Sequence, residues 1–438
     1  MFTSLNAIAH FSARRMFAAA ALVTAVAAPG AAAAQIPFEQ AIQELASENP
    51  TVRIKTLEAL RDARYPEAAI PVSTLIVDKQ DSVQLQAIAT ELDIFLVDKV
   101  TTRKFGDPVV EKRDRLSAEN AFAAGPLLVS LRPVPSEVLN ALRVAAQDEN
   151  QHVGGEALYA FGTLTTRTDG AARLALQRVS IGDLVTLLEG RSSNVRKAAA
   201  RVIGRFYARR PSDPPVDAAI GDALLAALND KSGDVRAAAT KALGDIRYER
   251  AVEVLSEVVN SKGKDDVRED ALDALAWIAD PASADLFREQ LSSPSPACRR
   301  IGVEGLARLP GVKIGDLQNA LQKEQTDEVQ LALSFAATML TDAPIDQIGE
   351  ALVRPRLYDQ ARRYLIELAP GHPNRFTRHA MDPDNRIRVE VAEVMTLAGD
   401  QSALPLVTPL ASDRDPVVAF AGTRAVARLR STVAKPAS

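Results

Sequence analysis

Six arginines recur along the chain: Arg53, Arg196, Arg236, Arg268, Arg299 and Arg388. Each follows a Val, Ile or Cys, and acids or amides such as Asn194, Asp234 and Asp266 lie close by. A row of guanidiniums can bind anions. With an acid beside each member, the same row becomes a ladder of ion pairs between stacked units, and the nearby acids favour the ladder. Other residues able to do chemistry are sparse. The histidines are His10, His152, His372 and His379; none starts an H-x-x-x-H and none precedes Glu. His372 and His379 alone are too few ligands for a metal, so no metal or cofactor is expected. Cys298 is the one cysteine, which excludes an internal disulfide. It fills the slot held by Val267 and Val329 in neighbouring units, so it reads as a small core residue and not a nucleophile. Trp277, beside Ile278, also reads as core. No G-x-S-x-G, P-loop or dinucleotide fingerprint is present, and no catalytic residue is assigned.

The arginines need elements to position them. Helix openings of one type occur at Val52, Val83, Val153, Val195, Val235, Val267, Cys298, Val329, Leu357, Ile387 and Val417. The steps between them are 31, 70, 42, 40, 32, 31, 31, 28, 30 and 30 residues. A period in this range marks a solenoid or repeat array. In one unit, Val235, Ala239, Ala242, Leu243 and Ile246 form a single apolar stripe at helical spacing. Asp234 stands at or near the N-cap, and Ala251–Val259 supplies a second helix. In the next unit Asp280-Pro281 stops the first helix. Composition agrees: 47% hydrophobic but only 5% aromatic, with the apolar share dominated by small aliphatic residues suited to close helix packing.

The segments DVRAAATKALGDI, DVREDALDALAWI and NVRKAAARVIGRF resemble HEAT repeats, in particular the HEAT-like subgroup of phycobilin lyases. The likeness runs over roughly 40–430 and is strongest at 190–310. It implies an all-α, right-handed α-solenoid of about eleven two-helix repeats. It also implies first helices on the convex side, second helices lining the concave side, and an inter-repeat polar ladder at the recurring arginines. It says little about function. HEAT-like deoxyhypusine hydroxylases hold iron with His-Glu pairs, which this chain lacks.

Departures from the rhythm carry the functional expectation. The 70-residue step contains Thr101–Pro135, an insertion bearing Arg103, Lys104, Phe105, Lys112, Arg113, Arg115, Phe122 and Arg132. It reads as a degenerate unit plus an irregular excursion, either solvated or a contact for a partner. Ala208–Pro215 and Thr165–Gly170 lengthen two more loops, and Pro370–Pro373 follows the most degraded unit. On the second helices, Glu253, Glu257 and Glu289 make an acidic centre, while Arg362 and Arg363 belong to a basic C-terminal third. Together they suggest a concave groove for an extended protein partner of opposite pattern, against the alternative of ordinary solvated helix surface.

Residues 1–34 read as a cleavable signal peptide. Arg14 and Arg15 precede the apolar run Met16–Ala28, and Ala32-Ala33-Ala34 offers a cleavage site. The run is too short to span a bilayer comfortably, so no stable membrane insertion is expected after cleavage. Arg14-Arg15-Met16-Phe17 resembles the twin-arginine signal, with Ala13 where that motif prefers a hydroxyl residue. The destination is then the periplasm or the cell exterior. Losing these two arginines moves the formal charge from −4 to −6, which argues against a nucleic-acid partner. Residues 35–430 form the solenoid and 431–438 a flexible tail. The reading is a non-catalytic scaffold or adaptor; the alternative is an enzyme, or an enzyme's accessory subunit, built on the same solenoid.

Overall fold

The computed structural model describes residues 37–97, 99–102, 108–111, 115–167, 170–211, 213–261 and 264–431. Every helix opening read from the sequence starts a helix. We number these eleven helices α1 (Pro50–Ala63), α2 (Asp81–Phe95), α3 (Gln151–Leu164), α4 (Ser193–Phe206), α5 (Gly233–Asp245) and α6 (Asp265–Ile278). The series continues with α7 (Pro296–Arg308), α8 (Asp327–Thr341), α9 (Tyr358–Leu368), α10 (Asn385–Ala398) and α11 (Pro416–Ser431). The stripe Val235, Ala239, Ala242, Leu243 and Ile246 is completely buried. The chain is therefore an α-solenoid, whose stability comes from stacking apolar stripes of successive units.

A second helix accompanies each of these, such as Ala218–Ala227, Val252–Asn260 and Ala284–Gln290. It packs chiefly on the numbered helix that follows it. The unit is thus shifted by one helix from the sequence pairing, which joined Val235's helix to Ala251–Val259. The recurring arginines explain the true pairing. Arg196 turns back to the carbonyls of Gly190 and Arg191, both at 2.9 Å, closing the loop that leads into its own helix. It then reaches Asp230 of the next such loop at 2.6 and 2.8 Å. Arg388 does the same with Asp382 O at 2.7 Å and Asp413 at 2.9 Å, and Arg53 with Ser47 O at 2.6 Å and Asp78 at 2.9 Å. Arg299 bonds Ser293 O and Glu324, and its hydrogen bonds hold the Glu324 carboxyl down at about 2. The ladder exists, but its acids are Asp78, Asp230, Glu324 and Asp413. Asp234 lies in the first turn of α5, whose N-cap is Ser232. Two rungs lack such an acid among the described residues: Arg236 bonds the carbonyls of Asp230 (2.7 Å) and Lys231 (3.3 Å) in its own loop, and Arg268 reaches Val259 O and, at 3.6 Å, Asp265 of its own first turn. At the second of these Val267 is exposed and Cys298 is half-buried, its Sγ 3.9 Å from Glu269, so the cysteine is not sealed in the core.

The inserted stretch adds the fold's β-structure. Strands β1 (Lys99–Thr102) and β2 (Pro108–Glu111) pair antiparallel, with Lys99 opposite Glu111. Backbone bonds from Val97 N to Leu128 O (2.9 Å) and from Ser130 N to Phe95 O (2.7 Å) close the base of the insertion. Between them the helix Ala118–Ala124 docks on α3 and α4. Phe122 is buried there and its carbonyl accepts from Arg205 at 2.5 Å.

The numbered helices form the inner layer. Their side chains meet across units that are not neighbours: Arg308 of α7 grips Glu367 of α9, and Arg363 of α9 reaches Glu304 of α7 and Asp273 of α6. Arg210, just after α4, donates to Ala398 O at the end of α10. Arg424 of α11 donates to Leu127 O and, at 3.2 Å, to Val129 O, so the last unit touches the insertion and the array closes on itself. Such contacts require these helices to lie on the concave side. The Val-type helices, taken in the sequence pairing as first helices on the convex side, are thus the second helices of their units and line the concave side.

Candidate functional site

The geometry begins with two adjacent arginines on α9. Helical spacing sends consecutive residues to different neighbours, and α9 exploits this. Arg362 turns to α10, pairing with Glu393 at 2.7 Å and Glu390 at 3.3 Å. Arg363 turns the other way, to Glu304 at 3.2 Å and Asp273 at 3.8 Å.

Below Arg363 lies a buried ionic cluster. Glu304 is fully buried, which alone would raise its pKa. Arg300, Arg363 and Arg308 outweigh that and hold its carboxyl below the usual range. Tyr364 donates to Glu304 and stacks on Phe335 with ring centroids 4.3 Å apart. Burial and the Glu304 charge push the Tyr364 phenol well above its ordinary range. Arg308 is held by both oxygens of Glu367 at 2.7 Å, and its guanidinium lies 4.4 Å from the Trp277 ring centroid. Every acid in the cluster is committed to a guanidinium, and the phenol keeps its proton. The cluster ties α7 to α9 and offers no base poised near neutrality.

Beside it opens a cavity of about 680 Å³. Its apolar lining includes Trp277, Ile366, Leu397, Pro211 and Pro370; its cationic lining is Arg209, Arg210, Arg247, Arg362 and Arg363; its acids are Asp359 and Glu367. Helix ends and one loop bring these residues together. Arg247 follows α5 with a left-handed backbone (φ 50°), and Trp277 and Leu397 end α6 and α10. Arg209 and Arg210 lie in the lengthened loop after α4.

Three of the five arginines form no ion pair with a carboxylate among the described residues. Arg209 donates to the carbonyls of Asp213 (2.6 Å), Arg247 (3.3 Å) and Ile246 (3.5 Å). Arg247 donates to Arg209 O at 3.2 Å and Trp277 O at 2.5 Å, and Arg210 to Ala398 O. Carbonyls orient a guanidinium without cancelling its charge. Burial accordingly holds the pKa of Arg247 below its usual value. The buried Nε atoms of Arg209, Arg362 and Arg363 also have no hydrogen-bond partner.

The residues expected to bind a partner are scattered. Arg362 and Arg363 line the cavity. Glu253, Glu257 and Glu289 are exposed on outer-layer helices, because the unit is paired the other way, so they share no groove with those arginines. Arg115 is exposed and pairs with Asp62 at 3.2 Å. Arg103, Lys104, Phe105, Lys112 and Arg113 lie outside the described residues. Sequence reasoning missed Arg209, Arg210 and Arg247, and it placed Trp277 in the core, whereas the ring is half-buried against the cavity. The signals were present in the lengthened loop Ala208–Pro215 and in a lone tryptophan at the end of a repeat helix. Among the described residues no group of three or more His, Cys, Asp or Glu is placed to hold a metal, and no helix is long and apolar enough to cross a membrane.

Residues 181–276, from the outer helix before α4 to near the end of α6, match the family model of HEAT repeats. No curated protein matches the chain. Among solved structures the chain is similar to an engineered protein, at 18% identity over 90% of this chain and 98% of that one, with a TM-score of 0.45. It is also similar to the karyopherin Kap121p, at 14% identity over 90% of this chain and 45% of that one, with a TM-score of 0.38. Kap121p bound to the extreme C-terminus of the protein phosphatase Cdc14p aligns at 15% identity over 90% and 46%, also with a TM-score of 0.38. The chain thus spans about half the length of the karyopherin. Residues 181–276 are thus HEAT repeats in sequence, and the same helix pairing continues on either side of them.

Proposed function

We propose that this protein is a non-catalytic interaction scaffold, acting in the periplasm or outside the cell, that holds a protein partner at its inner face. One observation carries the reading: the cavity beside α9 gathers five guanidiniums, three of which form no ion pair with a carboxylate among the described residues. HEAT arrays commonly mediate protein interactions, and a cationic cavity on the inner layer is where such an array can offer a partner something the solvent does not. The enzyme alternative gains no support from the Glu304 cluster, where every ionisable group is already paired.

Photo-cross-linking in the native cell tests this. A photoreactive residue at Ile366 or Leu397 should trap a protein partner, whereas one at Glu257 or Glu289 should not. A third at Arg115 asks whether the 101–135 segment joins the contact. Trapping from the outer positions alone would overturn the inner-face assignment. Fractionation of cells making the full chain should recover it in the envelope or medium, cleaved near Gln35; an uncleaved cytoplasmic product would overturn the proposed location.

A further inference from the structure

The cavity's chemistry goes further than its position. Its volume of about 680 Å³ lies within the range of small-ligand and peptide-anchor sites. One side is apolar: Trp277, Ile366 and Leu397. Next to it lie the three guanidiniums that bond only carbonyls among the described residues, those of Arg209, Arg210 and Arg247, the last 5.8 Å from the Trp277 ring centroid. Glu367 and Asp213 act on Arg247, and Asp400 on Arg210, through charge at a distance, and none of them forms an ion pair with the three guanidiniums among the described residues. Glu367 has both oxygens on Arg308, whose guanidinium lies 4.4 Å from the Trp277 ring centroid, and Asp359 is a single further acid in the lining. A guanidinium held by carbonyls keeps its charge and its orientation, so it is preorganised for an anion.

We infer that this cavity binds an acidic peptide segment of the partner, with a large apolar side chain against Trp277, Ile366 and Leu397 and a neighbouring carboxylate on the guanidiniums of Arg209, Arg210 and Arg247. The inference rests on the scaffold reading. Charge complementarity selects the acid. The apolar wall selects a side chain beside it, and would be idle for a bare anion such as phosphate. The lining comes from α5, α6, α9, α10 and the loop after α4, so the occupant lies between units that are distant in sequence and bridges them. A chain segment passing along the inner layer satisfies that placement.

Trp277 is the only tryptophan in the chain, so its fluorescence reports the cavity directly. The full mature protein is titrated with acetyl-Glu-Leu-Glu-Phe-amide and with its Gln-for-Glu counterpart, with inorganic phosphate and decanoate in parallel. The acidic peptide should give a saturable change that weakens with salt; the Gln peptide should bind at least about tenfold more weakly, in line with loss of charged pairs. The double variant Arg209→Gln/Arg210→Gln should lose binding to a similar degree while its melting temperature, followed separately, shows it folded. Arg288→Gln, on the outer layer, should leave binding unchanged. Should that double variant be unstable, Arg210→Gln alone, at an exposed position, serves the same purpose. Equal binding of the two peptides would overturn the inference, as would binding of decanoate without the peptide. Persistent inner-face cross-links with no acidic-peptide binding would sink this inference alone; absence of cross-links would sink the scaffold reading instead.

Discussion

At the scale of single residues, two buried carboxyls show opposite solutions. Glu91 in α2 is fully buried and neither oxygen has a hydrogen-bond partner among the described residues. Burial pushes its pKa well above the ordinary 4.5, so the folded chain holds a proton that the unfolded chain releases. The raised value fixes the sign. Folding binds the extra proton only above the unfolded pKa, so stability falls as pH climbs from about 4.5 toward the folded value. Glu91→Leu should therefore stabilise the protein by about 1–3 kcal/mol at pH 7. The gain should shrink near pH 4.5, as urea unfolding at the two pH values would show; an equal gain at both would mean the carboxyl is not the cause. Glu304 is the reverse case, held ionised by three guanidiniums. Glu304→Ala strands those charges in the interior and should cost about 3–5 kcal/mol, a loss that denaturant titration resolves easily.

At the scale of elements, the repeat was legible because its apolar stripe is periodic and its arginine recurs. All eleven inner helices start where the Val-type openings placed them. What could not be read was which neighbour each helix pairs with, since a periodic pattern has no phase: Val235's helix is followed and preceded by equally good partners. The Arg196 bonds to Gly190 and Arg191 break that symmetry, but backbone carbonyls carry no sequence signature. The same limit hid the candidate site. Arg247 sits in a left-handed cap where glycine is the usual signal, and its bonds are again to carbonyls. Of the cavity, Arg362 and Arg363 were legible as part of a basic run, and the stretches Ala208–Pro215 and Pro370–Pro373 as departures from the repeat, without the roles of their side chains. The β1–β2 hairpin was not legible either, being four residues a side inside a stretch without helical period. Close packing between elements is testable in α11. A Cβ on Gly422 would lie 2.5 Å from Ala411 N and from Leu410 C, both backbone atoms that cannot swing aside. Gly422→Ala should cost about 1–3 kcal/mol, measured by thermal or urea unfolding.

At the scale of the whole molecule, the contacts of Arg424 with Leu127 and Val129 join positions nearly 300 residues apart. Open solenoids couple only neighbouring units, so losing the last unit should disturb only the one before it. Here a chain ending at residue 415 should also lose amide hydrogen-exchange protection at Val97 and Ser130, whose backbone bonds close the insertion, while α5 and α6 keep theirs. Unchanged protection at those two amides would show that α11 does not support that region. The same contact imposes an order in time. A chain emerging from its N-terminus can stack its first ten inner helices in order, because their contacts reach back to units already present. The closing contact must wait for α11, which emerges after the other ten inner helices. Until then the Leu127–Val129 edge stands uncovered, and the final step is the closure of one very long loop rather than the addition of one more repeat. Maturation would then end in a slow unimolecular event whose rate is independent of how quickly the repeats themselves form.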